Sequence, residues 1–189
     1  LRVADTRLAL GRLAASWRTR FAGPLIALTG SNGKTTLKEM LAAILRRRGS
    51  TLATEGNLNN DIGVPLTLLR LNAEHGYAVI EMGANHHGEI AYLTGLARPD
   101  VAIINNAGPC HLEGFGDVAG VARAKGEIFQ GLSATGVAIV NRDDPHADDW
   151  IGLNPGRRIV DFGLDRPAAV SARVLDAAIN RFRLIVPAG

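Results

Sequence analysis

One short stretch constrains the fold more than any other part of this 189-residue chain. The segment LIALTGSNGKTT, residues 25–36, joins an apolar run to a turn of small residues that ends in Lys34, Thr35 and Thr36. The apolar run predicts a buried strand. Leu37, Met40, Leu41, Ile44 and Leu45 follow at helical spacing, so a helix with these five side chains on its apolar face is predicted next. A strand, a glycine turn and a helix in this order are typical of a phosphate-binding loop.

The chemistry of the loop supports this interpretation. Gly30 and Gly33 let backbone N–H groups approach phosphate oxygens, and a helix N-terminus adds unpaired N–H donors. We expect the Lys34 ammonium to reach the terminal phosphates and the Thr35 hydroxyl to bind Mg²⁺. The pattern G-x-x-x-x-G-K-[ST] is not met in full, because Leu28 occupies its first position. The residues that we predict to bind nucleotide here are Gly30, Ser31, Asn32, Gly33, Lys34, Thr35 and Thr36.

Composition narrows the class of protein. A hydrophobic content of 47% is enough for a substantial core, and no apolar run reaches the roughly 18 residues of a membrane-spanning helix. The 21 lysines and arginines exceed the 18 acidic residues by only three, which favours small anionic substrates over nucleic acid. Cys110 is the sole cysteine, so an internal disulfide is excluded and a reducing cytoplasm is expected. The chain begins at Leu1 and not at Met, which suggests a piece of a longer protein.

The rest of the chain alternates between strand and helix patterns. After a first helix predicted at residues 1–20, strands are predicted at residues 25–29, 51–54, 78–82, 101–105, 137–140 and 159–162. Helices are predicted at residues 35–48, 64–71, 88–97 and 118–132. This alternation predicts an α/β fold with a mostly parallel sheet flanked by helices. Residues 169–174 and 182–186 read as short strands of a small antiparallel extension at the C-terminal end.

Several separated motifs resemble one enzyme family. TGSNGKTT, TEGNLNNDIGVP, EMGANHHGEI, NNAGPCHLEGFG and ARAKGEIF follow one another along the chain. Together they are similar to motifs of the Mur ligases, the ATP-dependent amide-forming enzymes of peptidoglycan synthesis. Within that family they most resemble the ligases that add D-alanyl-D-alanine to UDP-N-acetylmuramoyl-tripeptide. The resemblance covers about residues 24–162, which is most of the chain.

The resemblance implies a set of metal ligands. A carboxylate at the end of a strand opposite a phosphate loop suits Mg²⁺ in itself, and the resemblance identifies Glu81 as the metal-binding glutamate. It also implies that His111 binds a further Mg²⁺ and that Lys125 is carbamylated, which would convert a cation into an oxygen ligand. Lys34, His111 and Lys125 are thus the expected catalytic residues, and the expected metal ligands are Thr35, Glu81, His111 and Lys125.

Two asparagine-rich segments are also candidates. Asn57, Asn59 and Asn60 crowd one loop, where asparagines favour turns but can also bind a phosphate or a peptide carboxylate. The resemblance favours contacts at the reacting site, so these three are expected to bind substrate. Asn141 follows a predicted strand; a turn accounts for it, and the resemblance implies that it helps to hold the nucleotide.

Four other polar side chains are not expected to act. His86 and His87 are adjacent, so their side chains diverge and neither is a strong ligand candidate. Glu127 is expected to be an ordinary surface residue. Cys110 has no partners for covalent catalysis in the sequence pattern.

The expected function is ATP-dependent ligation in the cytoplasm through an acyl phosphate, with ATP and Mg²⁺ as cofactors. Residues 1–22 would end an N-terminal UDP-binding domain and its linker, and residues 23–189 would form an incomplete central ATP-binding domain. The expected partners are the tripeptide substrate, D-alanyl-D-alanine and the missing N- and C-terminal domains of the same enzyme, with no nucleic acid and no membrane insertion. The isolated fragment is expected to be inactive.

Three alternatives remain open at this point. The first is another Mur-type ligase, either one that adds the third residue or one like folylpolyglutamate synthase. The second is a phosphate-loop ATPase or kinase that transfers to a hydroxyl or to water, and the third is a nucleotide-binding module without catalysis.

Overall fold

A computed structural model describes residues 2–176, 178 and 181–187. Its centre is a parallel sheet of six strands in the order β2-β3-β1-β4-β5-β6. The strands are β1 (Leu25–Thr29), β2 (Thr51–Ala53), β3 (Tyr77–Glu81), β4 (Val101–Ile104), β5 (Val137–Asn141) and β6 (Arg158–Phe162). The first and last residues of each strand lie within one residue of their predicted positions, and the predicted parallel sheet is confirmed.

Helices cover both faces of this sheet. They are α1 (Thr6–Arg18), α2 (Lys34–Arg46), α3 (Gly63–Leu69), α4 (Glu89–Ala97), α5 (Leu112–Phe115), α6 (Val118–Gly126) and α7 (Ala147–Gly152). A 3₁₀-helix, Glu127–Gly131, continues α6, so the single helix predicted at residues 118–132 is wrong in its second half. The short helices α5 and α7 were not predicted, because four to six residues are too few to show a helical period. Among the described residues, no helix is long and apolar enough to cross a membrane.

The core lies on both sides of the sheet because side chains alternate along each strand. On β1, Leu25 and Ala27 belong to a large cluster that reaches as far as Trp150. Ile26 and Leu28 belong to a smaller cluster under α2. All five residues of β1 are buried, which explains why this strand reads as an unbroken apolar run.

The buried face of α2 differs from the predicted one. Met40 and Ile44 are 59% and 61% exposed, whereas Lys38 and Ala42 are buried. Only Leu37, Leu41 and Leu45 of the predicted face pack against the core. The buried stripe of α2 is rotated towards Lys38. A hydrophobicity pattern places a lysine on the solvent side of a helix, so it could not predict this burial.

Helix α1 packs against the central body through α3 and α4. The Trp17 indole donates a hydrogen bond of 2.8 Å to the carbonyl of Leu71. The Arg18 side chain is buried and donates to the carbonyls of Ala97 and Phe21, each at 2.8 Å. The helix predicted at residues 1–20 therefore exists but spans only Thr6–Arg18, and its buried side is formed by Gly11, Ala14 and Arg18.

The C-terminal part of the described chain leaves the main sheet. Strands β7 (Ser171–Asp176) and β8 (Arg181–Ile185) form a separate two-stranded antiparallel sheet, as predicted, with bounds shifted by one or two residues. The predicted central domain extends to residue 189, but residues 188 and 189 lie outside the described part of the chain.

Candidate functional site

A cavity of about 750 Å³ opens at the carboxyl ends of the strands β2, β3, β1 and β4. Its walls come from the segments that follow these strands, together with α1, α4 and α6. In the sheet β1 lies between β3 and β4, so the chain passes over β1 on its way from β3 to β4. Sheets of α/β proteins bind ligands at such a switch in strand order. Seven of the predicted site residues line the cavity: Ser31, Lys34, Asn57, Asn59, Asn60, His111 and Lys125.

The loop between β1 and α2 has the backbone form that its glycines allow. Gly33 adopts a left-handed conformation (φ 73°), and a Cβ atom there would lie 3.1 Å from the Asn105 side-chain nitrogen. A Cβ at Gly30 would lie 3.0 Å from Asn105 Cβ. The Lys34 ammonium folds over the loop and donates to the carbonyls of Gly30 at 2.7 Å and Ser31 at 3.2 Å. The lysine is therefore held directly over the turn that precedes α2.

Side chains that follow β4 brace this loop. The amide of Asn105 donates to the Asn32 carbonyl at 2.9 Å, and the Asn106 carboxamide oxygen accepts from the Asn32 backbone N–H at 2.9 Å. The Ser31 hydroxyl bonds to the backbone of Gly108. Asn32 and Thr36 are exposed and do not line the cavity. Asn105 and Asn106 begin the motif NNAGPCHLEGFG, but sequence reasoning assigned neither residue a role, since that role depends on the neighbouring strand.

Glu81 and Thr35 come together as predicted for a metal site. The Glu81 carboxylate is 2% exposed. One of its oxygens accepts a hydrogen bond of 3.1 Å from the Thr35 hydroxyl, and the other accepts one of 2.8 Å from the Asn59 amide. A buried carboxylate beside a threonine hydroxyl offers the oxygen ligands that Mg²⁺ prefers. This donor set therefore fits a magnesium ion.

Lys125 is the most unusual charged group of the cavity. It is 1% exposed, and no described carboxylate forms an ion pair with it. Burial, with the positive charge of Lys34 as a further cause, lowers the pKa of Lys125 to about 8. The Nζ atom lies 5.8 Å from the centre of the Phe115 ring. A substantial fraction of this amine is thus neutral near pH 8.

His111 lies on the same cavity but on an exposed corner. It has a left-handed backbone (φ 48°) and precedes α5. Its ring stands edge-on to Phe115, with 6.5 Å between ring centres. Among the described residues, no group of three or more His, Cys, Asp or Glu side chains is arranged to hold a metal. Any metal held here would therefore depend on other oxygen donors as well.

The three loop asparagines have different partners. Asn59 is bound to Glu81, as described above. The Asn60 carboxamide oxygen accepts from the Gly63 N–H at 2.8 Å and so caps α3. Asn57 lines the cavity, which leaves it the best placed of the three for a ligand contact.

Asn141 is not part of the cavity wall. Its amide donates to the Asn105 carbonyl at 2.9 Å, and its oxygen accepts from the Asp143 N–H at 3.1 Å. These bonds tie the ends of β4 and β5 together and form a turn. The turn is the interpretation that the residue types alone favoured.

Glu127 was wrongly expected to be an ordinary surface residue. Its side chain is only 13% exposed, and its two oxygens accept from the N–H groups of Gly88 at 2.8 Å and Ala91 at 3.1 Å. These bonds cap the N-terminus of α4 with a negative charge. The His87 side chain is 45% exposed, lies 3.8 Å from the same carboxylate and lines the cavity. The His86 side chain is 70% exposed and contacts Glu89. The two histidines do diverge as predicted.

Comparison with known proteins agrees with this geometry. The Mur ligase middle domain model matches residues 28–184. The UDP-N-acetylmuramoyl-tripeptide--D-alanyl-D-alanine ligase of Escherichia coli (strain K12) is 60% identical over 160 residues, which are 85% of this chain and 35% of that protein. A crystal structure of MurF from Acinetobacter baumannii superimposes with a TM-score of 0.94 at 47% identity, covering 99% of this chain and 42% of that one.

A second structure is informative because of its ligand. MurF ligase from Thermotoga maritima, solved in complex with ADP, superimposes with a TM-score of 0.83 at 33% identity and covers 92% of this chain and 40% of that one. The chain belongs to the Mur ligase family, and the matched part is the middle domain of that family. It spans about 35% to 42% of the length of these relatives.

Proposed function

We propose that this chain is the ATP-binding centre of a ligase that adds D-alanyl-D-alanine to UDP-N-acetylmuramoyl-tripeptide during peptidoglycan precursor synthesis. The observation that carries the proposal is that Lys34 and the buried Lys125 line one cavity, and that the lining residue Asn59 bonds to the carboxylate of the Thr35–Glu81 pair. The relative from Escherichia coli bears the name of this activity and supports the choice of substrates. ATP as the nucleotide is supported by the ADP complex of the relative from Thermotoga maritima.

The proposed reaction has two steps. The C-terminal carboxylate of the tripeptide attacks the γ-phosphorus of ATP, which forms an acyl phosphate and releases ADP. The amine of D-alanyl-D-alanine then attacks the acyl carbon, loses a proton and expels phosphate. Because the carboxylate and the γ-phosphate are both anionic, their repulsion opposes the first step. The Lys34 ammonium and the N–H groups of the loop would offset that repulsion and position the phosphate.

The chain's own side chains would hold Mg²⁺ as follows. Thr35 and Glu81 would bind one ion, and His111 with a carbamylated Lys125 would bind a further ion. Mg²⁺ supplies neutralisation of phosphate charge when bound. Few protein ligands suffice because Mg²⁺ keeps waters and takes phosphate oxygens as its remaining ligands.

Carbamylation of Lys125 is supported by its surroundings. Carbon dioxide reacts only with the neutral amine, and the Lys125 pKa of about 8 makes that form accessible near neutral pH. The product is a carbamate anion, which would replace an unpaired buried cation by an oxygen ligand. The positive charge of Lys34, which repels the Lys125 ammonium, would attract the carbamate instead.

The remaining assignments follow from position. We propose that Asn57, Asn59 and Asn60 face the peptide substrate and that Asn141 contributes to nucleotide binding indirectly, by fixing the end of β4. Residues 1–22 would end an N-terminal UDP-binding domain with its linker, and residues 23–189 would belong to the central domain. The other domains of the same cytoplasmic enzyme would supply the rest of both substrate sites.

The test is the variant Lys34→Ala in the ligase that contains this chain. Loss of the ammonium should lower the rate of ADP formation that depends on D-alanyl-D-alanine by at least about a hundredfold. The matched control is Arg47→Ala, which removes an exposed cation just after α2. Identification of the amide product by mass separates ligation from plain ATP hydrolysis. Turnover of Lys34→Ala close to that of the control would contradict the proposal.

A further inference from the structure

Asp144 carries a buried carboxylate that the proposed reaction does not use. The residue is 6% exposed and lies in the turn between β5 and α7. One carboxylate oxygen accepts a hydrogen bond of 2.8 Å from the Ala107 N–H, and the other accepts one of 2.9 Å from the His146 N–H. The bond to His146 stays within the turn. The bond to Ala107 leaves it and connects the turn after β5 to the segment that follows β4.

The segment held by this carboxylate also shapes the phosphate loop, residues 30–36. The Asn106 carbonyl accepts from the Ser31 N–H at 3.0 Å, and the Asn106 carboxamide oxygen accepts from the Asn32 N–H at 2.9 Å. Gly108 bonds to the Ser31 hydroxyl through both its N–H and its carbonyl. Ala107 lies between these contacts, so the bond to its N–H fixes the backbone from which both arise.

These contacts determine where the free donors of the phosphate loop point. The first N–H groups of α2 have no acceptor within the helix, and they are among the donors proposed to bind phosphate. The bonds from Asn106 hold the loop in the conformation in which Gly33 turns left-handed (φ 73°) into α2. If this brace loosens, only a fraction of the molecules keeps that conformation, and the apparent affinity for phosphate falls by that fraction.

We propose that Asp144 is a positioning residue for nucleotide binding, which acts through Ala107 and Asn106 to hold the phosphate loop in its binding conformation. Its carboxylate serves this purpose because it accepts two backbone N–H groups at once, and hydrogen bonds to a charged acceptor are the stronger ones. The consequence for ATP rests on the proposed function. The effect on the loop does not, because the bonds are present without nucleotide.

Two variants of Asp144 separate the brace from the turn. In Asp144→Ser the hydroxyl can still accept from the His146 N–H, as serine commonly does in turns, but it is too short to reach the Ala107 N–H. Asp144→Asn keeps the length of the side chain and one acceptor oxygen for Ala107. A role in the brace therefore predicts loss in the serine variant and recovery in the asparagine variant.

The neighbouring Asp143 offers a matched control. It lies in the same turn, and its carboxylate accepts from the N–H groups of Leu164 at 2.6 Å, Asp165 at 3.1 Å and Arg166 at 2.8 Å. These three residues follow β6, and none of them lines the cavity. Asp143→Ser therefore removes bonds of the same kind but spares the brace of the phosphate loop.

The first experiment follows backbone hydrogen exchange in the ligase that contains this chain, without nucleotide and where urea unfolding shows every variant to be folded. In Asp144→Ser, exchange in residues 29–36 should become at least about threefold faster than in the wild type. In Asp143→Ser the faster exchange should be confined to residues 163–168, and Asp144→Asn should resemble the wild type. Unchanged exchange of residues 29–36 in Asp144→Ser would overturn the proposal.

The second experiment measures the rate of ligation as a function of ATP concentration. Asp144→Ser should raise KM for ATP at least about fivefold and lower kcat less than about twofold, because a looser loop lowers the population that binds and not the chemistry that follows. Asp144→Asn should return KM to within about twofold of the wild type, and Asp143→Ser should change neither constant by more than about twofold.

Two results of the second experiment would overturn the role in nucleotide binding. One is a fall in kcat at unchanged KM, and the other is an equal effect of Asp144→Ser and Asp143→Ser. Absence of ATP-dependent ligation in the wild type would count against the proposed function instead, while the hydrogen exchange of residues 29–36 would still decide whether Asp144 holds the loop.

Discussion

At the scale of single residues, Lys125 has the surroundings that differ most from those of an ordinary lysine. It is buried, unpaired with any described carboxylate and adjacent to a second cation. Such a position is costly for an ammonium group and favourable for an anion that can bind a metal. The same observation leads to two predictions, one on activity and one on stability.

Lys125→Ala in the ligase that contains this chain should lose at least about a hundredfold in turnover, because the proposed carbamate ligand is removed. Acetate or formate should restore part of the activity by placing a carboxylate in the vacated space. Lys125→Arg should not be rescued, because the guanidinium fills that space with a permanent positive charge. The measurement is the ligation rate as a function of added carboxylate. Full activity of Lys125→Ala without any additive would refute the carbamate.

Lys125 should also make the stability of the chain depend on pH. Its pKa is about 8 when folded and 10.5 when unfolded, so between these values the unfolded chain binds more protons. The free energy of unfolding should therefore rise with pH across this window, by up to about 3 kcal/mol. The Lys125→Met variant lacks this contribution.

The check is urea unfolding of both proteins from pH 7 to pH 10.5 in buffer free of carbon dioxide. Other groups titrate alike in the two proteins, so their effects cancel in the difference. The stability advantage of Lys125→Met should be largest at pH 7 and should shrink with rising pH. A constant difference across the window would show that the lysine is not desolvated.

At the scale of elements, close approaches of the backbone determine where the loops and helices of the site can lie. Gly63 begins α3 immediately after the asparagine loop, and a Cβ there would lie 2.3 Å from the Leu58 carbonyl carbon. Backbone atoms cannot move aside as a flexible side chain can. The asparagine loop and α3 therefore depend on the absence of a side chain at this position.

Gly63→Ala should lower the free energy of unfolding by about 1–3 kcal/mol, since it overpacks a rigid contact. Gly95→Ala is the matched control, because Gly95 also lies in a helix and its added Cβ would meet no atom within 4 Å. The control should be stabilised by about 0.5–1 kcal/mol from helix propensity. Urea unfolding of the two variants compares them directly, and equal effects would show that the close approach is relieved at no cost.

Sequence patterns were most informative for the elements whose local signal agrees with their environment. The strands of the sheet are apolar runs buried on both faces, and the phosphate loop has its strand, its glycines and its helix in order. The pairing of Thr35 with Glu81 followed from the rule that ligands collect at the carboxyl ends of strands.

The sequence-based predictions were wrong, or missed a contact, where tertiary contacts override the local pattern. Lys38 is buried and Met40 exposed on α2, which inverts what hydrophobicity predicts. Glu127 caps a helix that begins 38 residues earlier at Glu89, and no local spacing reports such a contact. The brace of Asn105 on the phosphate loop is hidden for the same reason, since it joins two strands that are neighbours only in the folded sheet.

At the scale of the whole molecule, Arg18 joins the first helix to the central body. Its guanidinium donates to the carbonyls of Ala97 and Phe21 at 2.8 Å each and to that of Arg98 at 3.2 Å. Asp100 lies 3.6 Å away and adds an ion pair. Burial is the largest influence on the pKa of Arg18 and lowers it. An arginine so enclosed connects the end of α1 to the segment between α4 and β4, and so fixes one wall of the cavity.

Arg18→Met keeps much of the apolar volume of the side chain but leaves the buried carbonyls without their donor. We expect it to lower the free energy of unfolding by about 2–4 kcal/mol, because unsatisfied buried acceptors keep their full desolvation cost. Arg12→Met on the exposed side of the same helix should change it by less than about 0.5 kcal/mol. Hydrogen exchange adds a readout of position: in Arg18→Met, protection should fall in α1 before it falls in the sheet. Loss of protection spread evenly over the chain would instead mean that α1 is an inseparable part of the central fold. A change in the free energy of unfolding no larger than that of Arg12→Met would mean that the guanidinium does not hold α1 in place.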